Sequence, residues 1–115
     1  MTDKLARAVE RLSRIPGVRG ALIVDAEAGV PVVTELADEM VAPGVAALAT
    51  SAYRRTTRAT ADADLGTLES LQVEAAGGHV LVTDAGALLV VVVAEPAAQL
   101  GRVRVEARQV AETLV

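Results

Sequence analysis

Cysteine is absent from the 115 residues, and the aromatic complement is a single tyrosine, Tyr53, with no Phe or Trp. Without thiols there is no disulfide framework and no thiolate nucleophile or ligand. With one ring there are no stacking platforms of the kind that hold single-stranded nucleic acid, and the core has to be assembled from aliphatic side chains. Histidine also occurs once, as His79. A metal site built on it lacks His or Cys partners, so it reads as a strand-end residue. No apolar run approaches the roughly 18–20 residues that span a bilayer, and the N-terminal stretch has no signal-peptide-like apolar segment. The expectation is one cytoplasmic domain over residues 1–115, without membrane insertion. The formal net charge of −4 argues against nucleic-acid affinity resting on phosphate neutralisation.

What is present is dominated by G-A-L-L-V-V-V-V-A at residues 86–94. A strand buried on one face alternates polar and apolar residues; an unbroken β-branched run reads as a strand covered on both faces. Residues 20–25 contain a second run, A-L-I-V. Both need helices on either side of a sheet, and three segments supply them. Leu5, Ala8, Val9 and Leu12 have helical spacing over residues 3–14, after a plausible Thr2-Asp3 cap, and Ile15-Pro16-Gly17 stops that helix. Residues 43–63 form a second helix whose expected core face is Val45, Leu48, Ala49, Ala52, Thr56, Ala59 and Ala63. Leu100, Val103, Ala107, Val110 and Leu114 define a third over residues 98–114.

The remaining strands follow from turn chemistry. Residues 25–29 (D-A-E-A-G) read as a hairpin loop leading to a return strand at 30–34, where Pro31 demands an edge or a strand start. Residues 35–40 form an acidic connector. Residues 68–75 alternate like a half-exposed strand, Gly77-Gly78 turns the chain into 79–84, and Ala85-Gly86 turns it into the central run. The predicted fold is therefore α/β: a single five-stranded antiparallel sheet sandwiched by three helices, in the order α-β-β-α-β-β-β-α.

Catalytic signatures are missing. No G-x-x-x-x-G-K-[ST] loop occurs, and none of the three serines sits in a nucleophile elbow. Asp62-Ala63-Asp64-Leu65-Gly66 begins like a calcium loop, but Val73 stands where the bidentate Glu belongs, so this is a helix terminus. The expectation is no enzyme activity, no cofactor and no metal. Ten of eleven basic residues fall in the three helices, among them Arg54, Arg55 and Arg58, and the plain reading of such residues is a solvated helix face; Arg55 or Arg58 is the only cheap catalytic device, as a finger toward a bound GTPase.

The element order and three stretches resemble the roadblock / dynein light chain family. These are I-P-G-V-R-G-A-L-I-V-D (15–25) with Gly29, the meander around Gly77-Gly78 with its central run, and E-P-A-A-Q-L-G-R-V-R-V-E-A-R (95–108). The resemblance spans nearly the whole chain and rests on structural motifs. It implies a non-catalytic homodimeric adaptor or regulator that binds a small Ras-like GTPase, as bacterial gliding-motility regulators do. It places the dimer contact on Ala49, Ala52, Thr56, Leu71, Val73 and Ala75. Residue chemistry adds Tyr53, Arg54, Arg55 and Arg58 as the partner face, since Tyr and Arg are enriched at binding hot spots. The rival readings are a small-molecule sensor module and a purely structural dimerisation subunit.

Overall fold

The computed structural model describes residues 2–37 and 41–115. Its elements are α1 (Thr2–Ser13), β1 (Val18–Asp25), β2 (Pro31–Leu36), α2 (Ala42–Asp62), β3 (Ser70–Ala75), β4 (Gly78–Ala85), β5 (Leu88–Ala94) and α3 (Leu100–Leu114). The five strands form one antiparallel sheet in the order β2-β1-β5-β4-β3. The sandwich order expected from the sequence is the one observed. Residues 38–40 of the expected acidic connector lie outside the described residues.

The unbroken run is the middle strand, and the two faces of β5 account for its pattern. Val90 and Val92 join Ala21, Ile23 and Leu81 under α1 and α3, which add Leu5, Val9, Leu12, Val103, Ala107 and Val110. Leu89 and Val91 point the other way, joining Leu22, Val24 and Val82 under Ala46 and Ala49 of α2. Successive side chains of a strand face opposite sides, so a strand with helices above and below has no position for a polar residue. At about 1.5–3 kcal/mol per fully buried Val or Leu side chain, these two layers are the main source of stability.

Most element ends shift by one or two places, each for a local reason. Thr2 is the first residue of α1 rather than its cap. Residues 95–98 form a turn, closed by the Ala98 amide on the Glu95 carbonyl at 3.1 Å, so α3 starts only at Leu100. Gly86, at φ +74°, belongs to the turn before β5 and not to the strand. Pro31 opens the edge strand β2 beside a register shift at Ile23/Val24, where a missing amide donor is tolerated. Gly78 is required for another reason: a Cβ there would stand 2.4 Å from the Ala94 carbonyl oxygen of the neighbouring strand.

His79 lies on the α1/α3 face of β4 and is buried. Its Nε2 stands 3.4 Å from the Pro96 carbonyl, while its Nδ1 has no partner among the described residues. Among the described residues no cluster of three or more His, Cys, Asp or Glu could hold a metal, and no helix is long and apolar enough to cross a membrane.

Candidate interaction surfaces

The second helix decides what the molecule can present, because its sequence leaves its rotation ambiguous. Ala46, Ala49 and Thr50 are its buried residues, with Ala42, Val45 and Tyr53 packed beside them. The buried face is therefore turned by roughly one residue step about the axis from the one the sequence suggests. Leu48, expected inside, is 66% exposed, and Ala59 is also exposed. Ala63 lies past the helix end as its C-cap. Thr50 takes the inner place because its hydroxyl donates to the Ala46 carbonyl, one turn back, at 2.8 Å. Once satisfied in that way, it buries like a small apolar residue.

Tyr53 is not a free contact residue. Its ring packs on the α2-side core, and its hydroxyl donates to the Leu68 carbonyl at 2.6 Å, fastening α2 to the approach of β3. Burial, followed by the negative charges of Asp84 and Glu69, pushes its phenol up to about 12. Arg54 is likewise engaged, donating to the Ala26 carbonyl at 2.9 Å and to the Glu27 carbonyl. That hairpin is prebuilt. The Asp25 carboxylate accepts the Glu27 and Ala28 amides, each at 2.9 Å, and Gly29 closes the loop at φ +71°. Gly29 faces Thr50, which lies 3.6 Å from where a Cβ would be.

Between this hairpin and α2 opens a notch of about 320 Å³, lined by Ala28, Gly29, Ala47, Thr50, Ser51, Arg54, Arg55 and Arg58. The sequence singled out the arginines but missed the hairpin that faces them. The two parts stand more than 20 residues apart in sequence and are joined by the Arg54 hydrogen bonds.

The opposite flank of α2 looks toward β3. Ala52 and Thr56 are half-buried there, beside exposed Leu48 and Ala59. Leu71 reaches the α2-side core, whereas Val73 is 42% exposed and Ala75 is exposed on the same face. Ala49, assigned to the dimer contact from the resemblance, is buried against the sheet of its own chain and has no surface left to offer. The Asp84 amide donates to the Glu69 carbonyl. With the Ser70↔Thr83 register, this turns the amides of Leu71, Val73 and Ala75 toward β4. The amides of Ser70, Gln72 and Glu74 face outward along an open edge.

The chain matches the model of the Roadblock/LC7 domain over residues 4–94. It belongs to the Roadblock/LC7 domain family. The protein MJ1340 of Methanocaldococcus jannaschii is 29% identical over 108 residues, covering 94% of each chain. A Roadblock/LC7 domain from Streptomyces avermitilis superposes with a TM-score of 0.86 at 22% identity, covering 95% of this chain and 92% of that one. The gliding protein MglB from Thermus thermophilus gives 0.87 at 20% identity, with 97% and 86% covered. At such identities the structural likeness establishes the fold. The Roadblock/LC7 family and the five-stranded, three-helix architecture read from the sequence both hold.

Proposed function

We propose that this Roadblock/LC7 chain is a non-catalytic homodimeric adaptor that binds a small Ras-like GTPase. The observation that carries the dimer is the incomplete side of the molecule. A strand edge with three outward amides, bordered by exposed Val73 and by Leu48, Ala52 and Thr56 on α2, is the kind of edge that proteins cover or pair. Two-fold pairing of β3 with β3 would make one ten-stranded sheet with both α2 helices on the same face, each filling the space beside the other's Leu71 and Val73. Ala52, Thr56, Leu71, Val73 and Ala75 then form the contact, with Leu48 added and Ala49 removed.

The GTPase reading comes from the family resemblance to gliding-motility regulators, and the likeness to MglB agrees with it. In that reading Arg55 and Arg58 are the contact residues, while Tyr53 and Arg54 hold the helix and hairpin that position them. Two neighbouring α2 helices would present one basic surface that steers encounter with an acidic partner. A steering role suits these arginines better than a finger role, because they project from a regular helix rather than a mobile loop. The test is to identify what co-purifies from the native host, then to measure GTP hydrolysis and binding of that protein with and without this chain. Stable association with a Ras-like GTPase, lost when Arg55 and Arg58 are both changed to Glu, is the expected result. Undiminished association in the double variant would refute the assignment of this face.

A further inference from the structure

We propose that the notch between the β1–β2 hairpin and α2 is a binding site for a phosphate-class dianion. It deepens the partner-face reading, on which it rests for treating this side of α2 as a contact surface. No residue lining the notch is acidic, and it brings together Arg54, Arg55, Arg58 and Ser51 beside the small residues Ala28, Gly29 and Ala47. Of the hairpin's two acids, Asp25 is turned to its own loop, where its carboxylate accepts two backbone amides, and Glu27 does not line the notch.

The donors divide into two sets. Arg54 is committed to the hairpin carbonyls of Ala26 and Glu27, so it braces the wall and contributes charge. Thr50 is committed to the Ala46 carbonyl. Arg55, Arg58 and the Ser51 hydroxyl form no hydrogen bond or ion pair with any described residue. Two uncommitted guanidinium forks and a hydroxyl at one opening match an oxyanion, which accepts bidentate bonds from each fork. The charge selects within that class. Two free positive charges, backed by a third on the wall, balance a dianionic phosphate group better than a single carboxylate. The volume, about 320 Å³, leaves room for a phosphate group still attached to a larger molecule.

The test is titration of the isotope-labelled chain with inorganic phosphate, and separately with acetate, followed by backbone amide shifts at constant ionic strength. The expected result is saturable shifts confined to Ala28, Gly29, Ser51, Arg55 and Arg58, with phosphate binding at least about tenfold tighter than acetate. In R55Q/R58Q phosphate binding should fall about tenfold or more, while R102Q/R108Q on α3 should bind as the parent does. Shifts that fail to saturate, that spread equally over all arginine-bearing helices, that survive R55Q/R58Q, or that acetate reproduces at the same concentration would overturn the assignment. These substitutions are at exposed positions, and a dispersed spectrum reports that each variant is folded. A chain that binds phosphate as expected but no GTPase would refute the partner reading and leave the anion site standing. The converse pattern, GTPase binding without phosphate binding, would refute the anion site alone.

Discussion

Tyr53 and Leu48 show how much hangs on single side chains in a helix made mostly of Ala and Thr. The sequence suggests Tyr53 as a contact residue because of its type, and Leu48 as core because it shares a helical face with Val45, Ala49 and Ala52. The structure reverses both. Tyr53 is held by the Leu68 carbonyl and Leu48 faces outward. As the only aromatic residue, Tyr53 can be followed directly by phenolate absorbance. Its midpoint is expected near 12 rather than 10. Because the fold favours the neutral phenol, its contribution to stability is complete below about pH 10 and disappears as the pH rises toward 12. An unshifted midpoint would contradict the burial of the ring beside Asp84 and Glu69. Tyr53→Phe should cost about 1 kcal/mol in denaturant unfolding, by leaving the Leu68 carbonyl without its donor.

Among the elements, legibility followed residue type. The middle strand could be read directly because an unbroken β-branched run fits only one place in such a sheet, and α1 because Leu5, Val9 and Leu12 mark a single stripe. The rotation of α2 could not, since Ala packs almost equally well on any face and Thr50 becomes buriable only through its bond to Ala46. The notch was illegible for another reason: half of it is backbone of a distant hairpin. Two substitutions separate the layers. Leu22→Ala, in the fully buried α2-side core, should cost about 2–5 kcal/mol in chemical denaturation. Leu48→Ala should change the stability of a single chain by no more than about 0.5 kcal/mol, yet lower the melting temperature of the dimer at a given protein concentration, because it trims a dimer contact. Equal losses at the two positions would contradict the observed rotation of α2.

For the molecule as a whole, an acidic chain carries most of its basic groups on its helices. On α2 the arginines lie on the side of the helix turned away from β3, so a dimer formed through β3 leaves them open to a partner. Arg55→Glu with Arg58→Glu should slow association with a GTPase partner and flatten its dependence on ionic strength. Stopped-flow mixing at several salt concentrations would measure both, and unchanged rates would return these residues to a merely solvated face.

The central claim is that the Ser70–Ala75 edge is completed by a second copy of the chain. Its most direct test is sedimentation equilibrium at micromolar concentration, on the parent chain and on Gln72→Pro. Pro at this position removes one outward amide and no bond to β4, so it is tolerated on a free edge and disruptive only on a paired one. Twice the 11.8 kDa chain mass is expected for the parent, with dissociation of the folded Gln72→Pro variant to a monomer. A monomeric parent, or a variant that dimerises as tightly as the parent, would contradict the claim.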